Sequence, residues 1–126
     1  MHSKFLARMI DMLDVPPGFH QGEGVAPDHA DLRWFSKSYC QHIDDAIPAP
    51  AIYPTVEPAG GIRLEWTFSP FDLTITVDLK NKTGEWHVCE AITGDTEESE
   101  EIDFADVGEW AWVNIKLNRL AKGEEL

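Results

Sequence analysis

Two short pairs of cysteine and histidine are the residues best suited by type to do chemistry. Cys40 and His42 form one pair, and His87 and Cys89 form the other. Two thiols and two imidazoles make the donor set of a tetrahedral zinc site, but paired zinc ligands are usually separated by about two to four residues rather than one. On a helix, Cys40 and His42 would also point about 200° apart. We therefore expect no metal site, no cofactor and two reduced thiols.

No motif for covalent or acid–base catalysis stands out in the sequence. It contains no nucleophile elbow, phosphate-cradling loop, His-Glu-x-x-His sequence or EF-hand loop. Gly60-Gly61 lacks the third glycine of a dinucleotide-binding loop and is interpreted as a hinge. Asp44 and Asp45 end a predicted helix, where carboxylates oppose the helix dipole, and we interpret them as a solvated helix end. We predict that the protein is not an enzyme and has no catalytic residue.

Acidic residues are the strongest charge feature. The 126 residues include 23 Asp and Glu against 10 Lys and Arg, a net charge of −13, and the segment from Asp95 to Glu109 holds eight acids and no base. This excess opposes direct binding to nucleic acid and to anionic membranes, and it favours a basic protein partner. The predicted partner-binding acids are Asp95, Glu97, Glu98, Glu100, Glu101 and Asp103.

Aromatic residues supply the second candidate binding feature. Trp34 falls beside the apolar stripe of its predicted helix, Trp112 lies roughly opposite the stripe of the last segment if that segment is helical, and Tyr53 lies in a proline-rich segment. Exposed Trp and Tyr side chains are enriched among the residues that dominate binding energy. We therefore predict Trp34, Trp112 and Tyr53 as partner-binding residues. Trp66 and Trp86 are instead predicted to pair across two strands in the core.

Periodicity along the chain predicts a single α+β domain over residues 1–126. Apolar residues repeat with a helical period near the N-terminus, prolines dominate the next segment, and strict alternation follows between turns. The predicted parts are two N-terminal helices in 1–47, a proline/glycine strip in 48–61, a three-stranded antiparallel meander in 62–92, an acidic loop in 93–106 and a C-terminal helix in 107–122.

The last of these segments fits both periods. Trp110, Val113, Leu117 and Leu120 form a helical stripe, whereas Ala111, Val113, Ile115 and Leu117 alternate as in a strand. Acids before the segment and bases near its end suit a helix dipole, so we predict a helix and keep the strand as the alternative.

Nothing in the sequence indicates export or a membrane span. The first apolar run is interrupted by Arg8, Asp11 and Asp14, and no run approaches the roughly 18–20 residues that a transmembrane helix needs. We predict a cytoplasmic protein without a membrane partner, and a homo-oligomer stays open.

One segment resembles a pattern found in small bacterial proteins to which no activity is attached. The matching residues are Ile47-Pro48-Ala49-Pro50-Ala51-Ile52-Tyr53-Pro54-Thr55 and then Gly60-Gly61-Ile62-Arg63-Leu64-Glu65-Trp66. The resemblance implies a bacterial or phage origin and the order strip, meander, helix. With the acid excess, it leads to the hypothesis of an inhibitor or antitoxin, such as an anti-CRISPR protein, that binds a nucleic-acid-handling defence or toxin protein. The alternative hypothesis is an accessory subunit of a larger assembly, held by exposed Trp and the proline strip.

Overall fold

Three α-helices and one β-sheet make up residues 2–124, the part of the chain that the computed structural model describes. The helices are α1 (Ser3–Asp11), α2 (His29–His42) and α3 (Val107–Ala121). Both α2 and α3 begin after an aspartate, because the side chains of Asp28 and Asp106 accept hydrogen bonds from backbone N–H groups of the first turn. The final segment is therefore helical rather than extended.

The sheet has five antiparallel strands in the order β1-β2-β3-β4-β5, so each strand pairs with its neighbour in the chain. The strands are β1 (Ala51–Pro54), β2 (Ile62–Phe68), β3 (Phe71–Asp78), β4 (Thr83–Glu90) and β5 (Thr96–Asp103). The class is α+β, but the predicted three-stranded meander was wrong. The two additional strands are the edges of the sheet, one in the proline strip and one in the predicted acidic loop.

Each edge strand was missed for its own reason. Pro54 is the last residue of β1, and proline is tolerated there because an edge strand needs hydrogen bonds on one side only. In β5, four glutamates conceal the strand because Glu is depleted in sheets. Buried Ile102 and Phe104, two residues apart, are the period-2 signal at its end.

The core lies between the three helices and one face of the sheet. Phe5 of α1 stacks on Tyr39 of α2 with ring centroids 3.8 Å apart. Phe35 of α2 meets Trp110 of α3 at 5.5 Å, so the three helices form one layer. Alternate residues of the strands complete a single cluster of buried apolar side chains, which is the expected result of period-2 burial.

The predicted pairing of Trp66 with Trp86 was wrong, because β3 lies between β2 and β4. Trp66 is opposite Leu73, and Trp86 is opposite Ile75. The indole of Trp86 instead meets Trp112 of α3 edge to face, with ring centroids 5.2 Å apart. The two large side chains therefore fasten different parts of the sheet to the layer that covers it.

Candidate protein-binding surface

The face of the sheet that points away from the helices carries almost entirely polar side chains. Strand alternation and cross-strand register place the same rows of residues on this side of all five strands. We call it the open face, and its members are Tyr53, Arg63, Glu65, Thr67, Asp72, Thr74, Thr76, Asp78, Thr83, Glu85, His87, Cys89, Ser99, Glu101 and Asp103.

Two glutamates lie directly opposite each other on the open face. Glu85 of β4 is paired in register with Glu101 of β5. The Phe104 N–H donates to the Lys82 carbonyl, so this pair is hydrogen-bonded and the pairs alternate along the two strands from there. Glu85 and Glu101 are therefore a non-hydrogen-bonded pair, the kind in which side chains come closest. Like charges in this position destabilise a sheet. Neither carboxylate forms an ion pair with any residue in 2–124.

The glutamate pair forms part of a groove of about 750 Å³ at one end of the open face. The lining includes no Lys or Arg among the described residues, and six of its members are acidic: Glu57, Asp78, Glu85, Glu101, Asp103 and Glu109. We call this the acidic groove. Some of the carboxylates in the groove accept hydrogen bonds. The Asp103 carboxylate accepts from the Ala105 N–H at 3.0 Å. The Asp78 carboxylate accepts from the backbone and side-chain N–H groups of Asn81, and Glu109 accepts from the Asp103 N–H. The carboxylates of Glu57, Glu85 and Glu101 have no hydrogen-bond or ion-pair partner among residues 2–124.

Two of the basic side chains on the neighbouring strands and turns are engaged elsewhere. Lys82 precedes β4, but its ammonium lies 4.8 Å from the ring centroid of Trp34 on the helix layer. Arg63 is on the open face and pairs with Glu65 at 3.0 Å, near the β1 edge. Charge on the open face is thus nearly balanced beside β1 and strongly negative beside β5.

The acids predicted as partner-binding residues separate into different roles. Glu101 and Asp103 line the acidic groove. Glu98 faces the helix layer, where it accepts a hydrogen bond from the Trp86 indole at 2.8 Å and pairs with the Lys116 ammonium at 2.7 Å. Lys116 is buried, so this contact fastens β5 to α3, and Glu98 is not available to a partner.

The other three predicted acids are exposed but do not line the groove. Glu100 is opposite Trp86 in the register and so lies on the helix side of β5. Glu97 occupies an irregularity in the ladder between Val88 and Cys89 of β4, and Asp95 lies in the turn before β5. These carboxylates surround the β5 edge without converging on one point.

The predicted aromatic anchors are each in contact with a neighbouring cation. Trp34 is half-buried beneath Lys82, and Trp112 is half-buried with the Lys116 ammonium 5.7 Å from its ring centroid. Tyr53 is 45% exposed on β1, and the Arg63 guanidinium lies 5.7 Å from its ring centroid. The structure therefore does not bring these three side chains together.

The cysteines and histidines also lie apart. Cys40 and His42 belong to α2, where His42 stacks on Trp110, while His87 and Cys89 lie on the open face across the sheet. Both cysteines are free thiols. Burial, and secondarily the charge of Asp45, raises the pKa of the Cys40 thiol, which disfavours the thiolate that bonds metals or attacks electrophiles. Within residues 2–124, no group of three or more ligating side chains could hold a metal ion.

Comparison with known proteins identifies no relative: no family model, curated protein or solved structure matches the chain. Among the helices described, none has both the length and the apolar character to cross a membrane.

Four acids of the groove were not predicted from the sequence as binding residues: Glu57, Asp78, Glu85 and Glu109. Glu57, Asp78 and Glu85 come from a loop and two strands outside any run of charge, whereas Glu109 closes the run of acids that begins at Asp95. The usable signal was the polar side of β4, where Thr83, Glu85 and His87 alternate with Gly84 and Trp86. Placing Glu85 opposite an acid required knowing that β5 exists.

Proposed function

We propose that this is a non-enzymatic acidic protein that binds a basic protein partner through the acidic groove and the adjoining β5 edge. In its sharpest form, the partner is a nucleic-acid-handling protein of a bacterial defence or toxin system. The acids take the place of nucleic-acid phosphates on the partner's basic surface, so that the protein acts as an inhibitor or antitoxin. Attraction between such surfaces speeds association and is screened by salt.

The observation that carries this proposal is the cross-strand register of Glu85 opposite Glu101, with no cation paired to either among residues 2–124. A sheet gains nothing from two carboxylates facing each other, and natural proteins break such local rules mainly at functional sites. Lysine or arginine side chains of a partner would occupy the groove and relieve the repulsion. Such binding would remove an electrostatic repulsion that destabilises the free protein.

The test is capture of basic proteins from bacterial defence and toxin systems by the immobilised protein, followed by elution with increasing salt. We expect release of a nucleic-acid-binding protein well before a hydrophobic contact would release it. The decisive variant is the double reversal E85K/E101K, which leaves Glu98 and its contact with Lys116 intact. It should abolish capture.

The matched control is D11K/E23K, which reverses two exposed acids outside the groove. Each reversal adds two charges, so both double variants change the net charge from −13 to −9. Equal loss of capture in both would mean that only net charge matters, and it would contradict a localised site. Capture that survives E85K/E101K would contradict the proposal as a whole.

A second candidate function, an accessory subunit in a larger assembly, draws on a different surface. Leu6, Ile10 and Leu13 are exposed by 41, 60 and 39% at α1 and the turn after it, beside an apolar groove toward α2. The half-burial of Trp34 and Trp112 leaves them less area for this purpose. A stoichiometric partner that resists high salt and is lost in I10E would support the subunit instead of the inhibitor.

A further inference from the structure

The outer edge of β5 offers unpaired backbone groups as well as charge. In an antiparallel ladder, residues of non-hydrogen-bonded pairs direct their N–H and C=O groups away from the partner strand. The Phe104 N–H donates to the Lys82 carbonyl, so Lys82 and Phe104 form a hydrogen-bonded pair. By alternation along the register, Ser99 and Glu101 belong to non-hydrogen-bonded pairs, and their backbone groups therefore point outward. Asp103 also points outward, but its N–H is shared with the Glu109 carboxylate at 3.5 Å.

No described element covers this edge. Six of the eight β5 residues are exposed, Glu98 is half-buried and only Ile102 is buried; every β5 residue except Ile102 is polar. The strand contains no proline. Exposed edges of this length are templates for a further strand, and charge is a common way of preventing an unwanted one.

The two sides of the edge have different chemistry. On the open face, Glu101 and Asp103 stand beside the outward backbone groups. On the helix side, Glu98 is paired with Lys116, Glu100 is exposed and Ile102 is buried. A strand lying along β5 would therefore have two exposed acids beside the row of its side chains on the open face, and a mixed row with one exposed acid on the helix side.

We propose that β5 accepts an extended segment of a partner protein as a sixth strand, with Lys or Arg at every second position. The basic side chains lie beside Glu101 and Asp103 on the open face, and main-chain hydrogen bonds form to Ser99 and Glu101. Strand addition of this kind takes affinity from the backbone and specificity from alternate side chains. The proposal rests on the proposed function and specifies its mode of binding.

A second copy of this chain is a poor occupant of the same edge. Pairing β5 with β5 would place the glutamates of one strand against those of the other, and like charges directly opposite destabilise a sheet. The charge of the edge thus selects a basic strand over self-association, which is why we commit to a different protein as the partner.

The experiment uses two capped, fluorescein-labelled hexapeptides of identical composition, one alternating Lys-Val and one with three Lys followed by three Val. At low salt we expect the alternating peptide alone to slow hydrogen exchange of the Ser99 and Glu101 amides, measured by nuclear magnetic resonance. The variant S99P removes one outward N–H without removing a bond to β4, and should weaken the alternating peptide by roughly tenfold. The control S99A keeps the N–H and should leave its affinity within about twofold.

The outcomes separate this inference from the function on which it rests. If both peptides bind equally and the two amides exchange unchanged, strand addition is wrong although the acidic surface binds basic segments. If neither peptide binds at low salt, both proposals are wrong. Protection of the two amides that grows with protein concentration and without peptide would place a second copy on the edge and overturn the choice of partner. The exchange measurement on the unmodified protein decides the question even where S99P fails to fold.

Discussion

The two edges of the sheet are protected by different means. β1 is four residues long, ends at Pro54 and is preceded by Ala49 and Pro50, whose carbonyls accept hydrogen bonds from the Arg8 guanidinium at 2.8 and 2.6 Å. β5 is eight residues long, lacks proline and is exposed along its length. Proline and a covering helix close an edge permanently, whereas carboxylates close it only to segments that do not carry positive charge. The β1 edge is thus closed to any added strand. The β5 edge is closed only to segments without positive charge, and we call it the conditional edge.

Two side-chain contacts hold the conditional edge in place. At its C-terminal end, the Phe104 ring rests over Gly84 of β4, and toward its N-terminal end Glu98 joins Trp86 and Lys116. Backbone hydrogen bonds to β4 also hold β5, and β4 is the neighbouring strand of β5 in the described sheet. Substitutions at these contacts, and at Arg8 near β1, test the difference between the two edges.

The largest effect is expected from G84A. A Cβ at this position would lie 2.5 Å from the Phe104 ring and 2.7 Å from the Thr76 carbonyl oxygen, and backbone cannot move aside easily. We expect a loss of about 2–3 kcal/mol of unfolding free energy, measured by urea denaturation. In the control G108A, the nearest atom is an exposed carboxylate oxygen at 3.2 Å. A G84A protein as stable as G108A would mean that Phe104 does not fix the end of β5.

A smaller loss is expected from K116M. It removes the cation from Glu98, but the Glu98 side chain is 22% exposed, so solvent offsets part of the cost and we expect a loss of about 2 kcal/mol. The double variant K116M/E98Q should recover most of the loss, since the amide still accepts from Trp86 without a buried charge. Equal destabilisation in the single and double variants would argue against a charge-pairing role for Glu98.

At the opposite edge, R8M tests the closure of β1. Loss of the two hydrogen bonds to the carbonyls of Ala49 and Pro50 should cost about 1.5 kcal/mol. The amides of β1 should exchange faster while those of β5 are unaffected, as followed by hydrogen exchange. An equal increase at both edges would show that Arg8 contributes to global stability rather than to closure of one edge.

The smallest effect has the opposite sign. In E101T, threonine replaces one member of the like-charge pair with a residue that favours strands, so we expect a gain of about 0.5 kcal/mol in the free protein. The same variant should weaken capture of the basic partner. A variant that is more stable and still binds fully would separate the charge pair from function.

The fold was predictable where each strand buries one face in a regular alternation. Ile62, Leu64 and Trp66 in β2, and Leu73, Ile75 and Val77 in β3, identify their strands without further information. The edges were not predictable in this way, because the residues that protect an edge are those that disfavour strands. The prolines in and around β1 predicted an extended strip, and the glutamates of β5 predicted a loop, although Ile102 and Phe104 gave a short alternating signal.

The site was predictable in sign but not in membership. The run of acids from Asp95 to Glu109 indicates negative charge correctly, yet alternation along β5 sends Glu98 and Glu101 to opposite sides of the sheet. Without the register of β5, nothing distinguishes the carboxylate that fastens the strand from the one that meets Glu85. Composition shows the sign of the charge, but the register of β5 against β4 decides on which face of the sheet each carboxylate lies.

A barrier made of carboxylates also depends on the acidity of the solution. The sequence pI is about 4.5, so near that pH the net charge of the chain vanishes and the chains no longer repel one another, while Pro54 of β1 is unaffected. The unpaired N–H and C=O groups of β5 in one chain could then pair with those in another, and chains should aggregate edge to edge through β5. Acid precipitation of this protein would therefore begin at one identifiable strand, and buffers well above pH 5 should keep it dispersed.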